Sequence, residues 1–312
     1  MAYYSGTASS LTNLRTALLT HAQADGWALS GNVLSKSGVY FEITDDASHM
    51  SCLGCESNAV ANPAPCAVKI GTIYQLSGYA TRLISFPCNY EVFGFSDELY
   101  LIVNYDVDYF QWMAFGKSSV PGLPGQGGWC GASIGGAAAT CLFNGSGAPI
   151  VLALQSISNL VAAGNFGSTC AMLFSNQYPV GNYPDASFNS HVNSGLDGHG
   201  WLPSAANTAG QIGALSIAEL LFMQPSGWNT EAALLPIRAW KMRSSYKVSL
   251  TVDLAHARHL RIDNLTPGDI LTIGADKWKV FPWYRKDLSS RNGGLAVNHT
   301  GTFGWAIRYE GP

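Results

Sequence analysis

The sequence predicts a mainly β or α+β protein, and three features carry that expectation. Segments in the last third alternate strictly between apolar and polar residues. The stretch Leu99-Tyr100-Leu101-Ile102-Val103 is apolar on both faces, as a strand covered on two sides must be. At the start, a capped Leu-rich helix runs directly into a hairpin signal.

The elements follow in order. Ser10 caps a helix whose Leu11, Leu14, Leu18 and Ala22 fall on one stripe, and Gly26 ends it. Trp27 to Leu29 and Val33 to Leu34 flank the turn Ser30-Gly31-Asn32. Val39, Phe41 and Ile43 then alternate with Tyr40, Glu42 and Thr44, which predicts a helix packed on a small antiparallel sheet. The segment Asp106 to Phe115 alternates only in part and is rich in aromatics. From Pro121 to Gly213, repeated Gly and Pro punctuate short apolar pieces, a loop-rich texture. Ser216 with Glu219 reads as a capping box for a short helix that Pro225 ends. Tyr246, Val248, Leu250, Val252 and Leu254 alternate with polar neighbours. Asp269 to Phe281 reads as a hairpin turning at Gly274-Ala275-Asp276, and Phe303, Trp305, Ile307 and Tyr309 form a last alternating strand. The expected organisation is an N-terminal helix-plus-sheet domain over 1–116, a Gly/Pro-rich loop region or insertion over 117–230, and a C-terminal antiparallel β barrel or sandwich over 231–312.

Charge is scarce, at 12% of residues with a net charge of −3, where about 25% is usual. No basic tract is present, so nothing draws the chain to nucleic acid or anionic lipid. An apolar fraction of 47% excludes a disordered chain, and the aromatic load fits a surface partly covered by neighbours. The opening Met1-Ala2-Tyr3-Tyr4-Ser5-Gly6 lacks the basic and apolar regions of a secretory leader. The longest apolar stretch, Ala148 to Gly164, is broken by Gln155, Ser156, Ser158 and Asn159, so no membrane insertion is expected.

No convincing catalytic constellation emerges, and the expectation is a protein that is not an enzyme and carries no cofactor. Gly131-Ala132-Ser133-Ile134-Gly135 satisfies the nucleophile-elbow pattern, but a Pro/Gly loop precedes it where a buried strand is needed. Gly116-Lys117-Ser118 lacks the first glycine of a phosphate-binding loop and reads as a strand end. His191 and His199, with Asp185 and Asp197, are the acid–base or metal candidates, and they lie in an Asn/Ser/Gly-rich segment. His256 and His259 read as surface residues after a strand. Trp201, Trp228 and Trp283, each beside a Gly or Pro, are the candidates for sugar or partner binding; core packing is the competing reading.

Seven cysteines leave at least one unpaired within the chain. Cys52-x2-Cys55 with Cys66, and with His49 just upstream, resembles half a zinc knuckle. Cys66 and Cys88 are too far apart to supply the second close pair. Cys52, Cys55, Cys66 and Cys88 are therefore candidates for metal, disulfide or buried-thiol roles. The expectation is no metal and at most one disulfide, Cys55 to Cys66.

Several segments in shared order resemble a family of tailed-bacteriophage virion proteins associated with the tail or baseplate. They are Tyr3-Tyr4-Ser5-Gly6-Thr7-Ala8 with Gly26-Trp27, and Val103-Asn104-Tyr105 leading to Phe110-Gln111-Trp112-Met113-Ala114-Phe115-Gly116. Gly127-Gly128-Trp129 follows, then Leu265 to Asp269, Trp278 to Pro282, and Thr300 to Arg308. The resemblance implies a structural component of the virion, made in the host cytoplasm, which assembles as a homo-oligomer with other virion structural proteins. It implies no catalytic residues and does not include the early cysteines. Two alternatives stay open: a receptor- or glycan-binding module that meets a host surface receptor, and a particle-borne hydrolase using Ser133, His191 or His199.

Overall fold

A computed structural model describes residues 1–72, 83–134, 190–203, 211–212, 232–243, 247–283, 286 and 303–312. Along the chain, β1 (Ala2–Ala8) leads into α1 (Leu11–Ala24). Ser10 caps that helix as expected: its Oγ accepts from Asn13 N at 3.1 Å, and Asn13 Oδ1 accepts from Ser9 N at 3.1 Å. Gly26, at φ 84°, turns the chain out of the helix while Trp27 N donates back to Ala22 O. The strands β2 (Ala28–Ser30), β3 (Val33–Lys36), β4 (Val39–Asp45), β5 (His49–Cys55) and β6 (Val68–Gly71) then pair in sequence as a five-stranded antiparallel meander.

The next strands build the middle of the molecule: β7 (Cys88–Gly94), β8 (Glu98–Asp106), β9 (Tyr109–Lys117), β10 (Gly128–Ala132), β11 (Ser190–Asn193) and β12 (Trp201–Pro203). With β1 they form a seven-stranded antiparallel sheet in the order β1-β7-β8-β9-β10-β11-β12. The last third supplies β13 (Gln211–Ile212), β14 (Leu235–Arg243), β15 (Lys247–Arg261), β16 (Ile270–Ile273), β17 (Asp276–Pro282) and β18 (Phe303–Arg308). They form a six-stranded sheet ordered β13-β14-β15-β18-β17-β16. The expected hairpin is present, with Ile273 paired to Asp276 across Gly274 and Ala275.

The described residues thus form a mainly β protein with one α-helix and antiparallel sheets, stacked in three layers. The seven-stranded sheet is the middle layer, and alternation sends its side chains into two separate cores. Leu99, Leu101 and Val103 of β8 pack with Leu14 and Leu18 of the helix and Phe41 and Ile43 of β4. Tyr100 and Ile102, between them, pack with Val252, Phe281, Trp305 and Ile307 of the six-stranded sheet. This is why the stretch 99–103 carries no polar residue: neither face meets water.

Two expectations need correction. Among the described strands the last third is not a closed barrel. Its sheet is open, with β13 and β16 at the edges, and it buries its inner face against the middle sheet, so one core holds residues from both halves of the chain. The middle sheet also runs across the boundary expected at 116/117, because β10, β11 and β12 extend it; residues 135–189 and 213–231, including the Ser216 capping box, lie outside the described residues. Polar ties reinforce the layer contact. Lys279 Nζ on β17 reaches Glu91 Oε2 at 2.6 Å and Tyr3 Oη at 3.1 Å, and Ser118 Oγ donates to Thr251 O.

The early residues of the alternating strand at 246–254 depart from the expected burial. Tyr246 is outside the described residues, and Val248 is exposed, whereas Val252 and Leu254 are buried. Lys247 and Val248 pair only with the end of β14, short of the packed layer. Close packing of backbones is visible at Gly116. A Cβ there would stand 2.3 Å from Asp97 O and 2.9 Å from the Glu98 Cα, across the β8–β9 pair. Backbone cannot swing aside as a side chain can, so Gly116→Ala should destabilise the fold by about 1–3 kcal/mol. Urea denaturation measures it, and an unchanged midpoint would count against this packing.

Candidate functional site

The densest concentration of reactive groups lies between the five-stranded and seven-stranded sheets. Cys52 sits on β5 between Met50 and Gly54, on the face turned toward the core. Cys130 of β10 is directly opposite His191 of β11 in the antiparallel register, so both side chains leave the middle sheet on one face. Cys52 and Cys130 share the core between these two sheets. Cys66, in the loop before β6, brings its Sγ to 3.5 Å from His191 Nε2. Cys52, Cys130 and His191 are fully buried, and Cys66 is 6% exposed.

The electrostatics follow from this geometry. The neighbouring Cys52 thiol and the facing His191 imidazole outweigh burial and bring the Cys130 thiol down to about 6. Burial alone would lower His191, but the Cys66 and Cys130 sulfurs reverse it and raise the imidazole to about 10. Cys52, desolvated and beside the Cys130 thiolate, is pushed up and keeps its proton. The directions of these shifts within the cluster favour negative charge on Cys130 and positive charge on His191, with Cys52 held neutral. Within it, His191 Nδ1 is buried with no hydrogen-bond partner among the described residues.

The half-knuckle reading of the early cysteines fails for a simple reason. Cys52 and Cys55 lie on a straight strand, where positions three apart point to opposite faces. Cys55 Sγ donates to Ser57 O at 3.4 Å, and His49 Nε2 lies 2.8 Å from Thr72 O. No three of the described Cys, His, Asp and Glu side chains form a group that could hold a metal. Cys52, Cys55, Cys66, Cys88 and Cys130 are all buried thiols, so the disulfide expected between Cys55 and Cys66 is not formed.

The other candidates are dispersed. Ser133 is buried, and its Oγ accepts from Trp112 N at 2.8 Å, which makes it part of the strand pairing, not an exposed nucleophile. His199 lines an open polar cavity of about 500 Å³ with Glu56, Gln126 and Asn193, while His191 faces the interior. Asp197 pairs with Arg243 at 2.7 Å, and Asp185 lies outside the described residues. Lys117 Nζ donates to Ser37 O, as befits a strand end. Trp201 is buried over Gly54 and Gly128, and Trp283 is buried against Phe303, ring centroids 5.5 Å apart. Neither ring is presented to a ligand, and Trp228 is outside the described residues. His256 Nδ1 contacts Glu98 Oε2 at 2.8 Å, and His259 is buried, not a surface residue, because β15 continues to Arg261.

Sequence reasoning named His191 and Cys52 separately but missed Cys130 altogether. The pairing of β10 with β11, which joins residues far apart in the chain, is what unites them. No model of a known protein family matches the chain, and no curated protein is significantly similar to it.

Proposed function

We propose that the protein is a structural component of a tailed-phage particle, in the tail or baseplate, which assembles with copies of itself and with other particle proteins. One observation carries this reading: the segments that resemble the virion family are the framework of the layers. They fall on β1, the end of β8, β9, β10, β17 and β18 and on the turn before β16. What such a set of segments preserves is a packed architecture, with Trp112, Trp129, Phe281 and Trp305 buried between two sheets. The scarcity of charge agrees with a surface that neighbours cover. An apolar edge agrees as well: among the described residues β16 pairs on one side only, and its Ile270 and Ile273 are exposed.

Contacts between copies should each bury more than about 1,000 Å² of surface. The test is a mass-spectrometric inventory of purified particles with stoichiometry, alongside light scattering of the isolated protein. A fixed copy number per particle and a multimer in solution are the expected results. A protein absent from particles and monomeric in solution would overturn the reading.

A further inference from the structure

We propose that the open cavity beside Glu56 binds a guanidinium group, carried by an arginine side chain of a partner protein or by a small free guanidine. The inference goes beyond the particle reading and does not rest on it. The cavity, of about 500 Å³, lies between the turn after β5, the loop before β10 and the loop joining β11 to β12. Ligand clefts commonly have this size. Its wall includes one carboxylate, that of Glu56, and no Lys or Arg side chain among the described residues.

Glu56 is held in place by its neighbours. Asn193 Nδ2 donates to its Oε1 at 2.9 Å and Asn62 Nδ2 to its Oε2 at 2.8 Å, while Gln126 Nε2 donates to its backbone oxygen at 2.9 Å. A carboxylate has about four lone-pair sites, so each oxygen keeps one for a ligand. Glu56 has no ion-pair partner among the described residues, whereas Asp197, on the β11–β12 loop, is taken by Arg243. Gln126 Oε1 is buried with no hydrogen-bond partner among the described residues. Such a wall offers acceptors and calls for a donor. A guanidinium carries five N–H donors in a planar fork and no acceptor, and the fork matches two carboxylate oxygens. One carboxylate is too little charge for calcium, whose sites gather several oxygen ligands, and a neutral polyol would leave the charge unmet.

The backbone around the cavity is strained. Among the described residues, four that are not glycine have positive φ, and three of them lie in the segments that build this cavity. They are Val60 at 56° and Asn62 at 43°, in the turn that brings Asn62 back to Glu56, and Asp197 at 56°. That conformation is least natural for a β-branched residue such as Val60, and strain of this kind gathers at functional sites. Gly125 and Gly195 meet so closely that a Cβ on Gly195 would stand 2.1 Å from Gly125 N, which sets two walls of the cavity against each other.

The test follows the amide resonances of the full chain by NMR as N-acetyl-arginine methylamide is added, with the citrulline analogue as the uncharged isostere. Saturable shifts centred on Gln126, Asn193, Gly198 and Gly200 are expected with the arginine probe, weakening as salt is added, and none with citrulline. Glu56→Gln should weaken binding about tenfold or more. Methylguanidine separates the two sources: affinity equal to that of the arginine probe points to a free guanidine, and weaker affinity to an arginine within a chain. No saturable shift with either guanidinium probe, citrulline binding as tightly as arginine, or shifts centred elsewhere would overturn the proposal, and all three are read on the unmutated protein.

Discussion

Replacing Trp305 by alanine should cost the fold about 3–5 kcal/mol. Trp305 lies on β18, 1% exposed, at the centre of the core between the middle and six-stranded sheets. Its ring centroid is 4.7 Å from that of Trp112 on the facing sheet and 6.5 Å from that of Tyr100. The surrounding groups belong to sheets braced by their own hydrogen bonds, so they cannot collapse into the space left behind. Small domains have only about 5–15 kcal/mol in total, and a loss of this size moves the urea midpoint far enough to read easily. A change below about 1 kcal/mol would mean that the two sheets are not held by this contact.

The second large effect is expected in acid. His259 is 1% exposed, its ring 5.4 Å from Trp283 and 6.0 Å from Trp305 between centroids, and its Nδ1 has no hydrogen-bond partner among the described residues. Burial pushes its pKa down to about 3, well below the 6.5 of an exposed histidine. The folded state therefore keeps the ring neutral while the unfolded chain takes up a proton below pH 6.5. Stability from this group is whole above pH 6.5 and is lost as pH falls toward about 3, by roughly 5 kcal/mol in all. Most carboxylates titrate lower, so histidines dominate the slope between pH 6 and pH 5; burial lowers His21 and His49 too, and the difference between wild type and a His259 variant reads the His259 share. His259→Leu should flatten that part of the profile, and parallel profiles for the two proteins would refute the assignment.

Both residues show what the sequence made legible and what it did not. Alternation identified β18 and its buried face, the cap at Ser10 identified the helix, and the two-sided stretch at 99–103 identified a strand without a wet face. Each is a local pattern, readable because one element's periodicity records which sides meet water. His259 was misread because β15 does not end at Leu254. Its pairing with β14 shifts register between Arg238 and Pro236, and the strand goes on to pair with β18. Trp201 and Trp283 beside Gly and Pro looked like loop tips, yet glycine at 54 and 128 is what leaves room for the Trp201 ring. The cysteine–histidine cluster was illegible for the most general reason. It joins β5, β10 and β11 across two sheets, and no local pattern records which distant strands will face each other.

The middle sheet has a further consequence. An ordinary amphipathic strand that slips by one residue drives its greasy side chains into solvent, and water itself penalises the error. The central four residues of β9 have no such corrector: Trp112 and Ala114 belong to one core, Met113 and Phe115 to the other, and all four stay apolar whichever way the strand turns. Shape marks the true alignment there, with the Trp112 indole matched to Trp305 on one side and the Phe115 ring matched to Phe41, centroids 4.9 Å apart, on the other, and the neighbouring Gln111 adds two hydrogen bonds to the Gly71 backbone. Alignment of these four residues is written more in volumes than in polarity. Exchanging Trp112 with Met113 would keep both faces of the strand apolar and still erase the instruction that tells it which way to face.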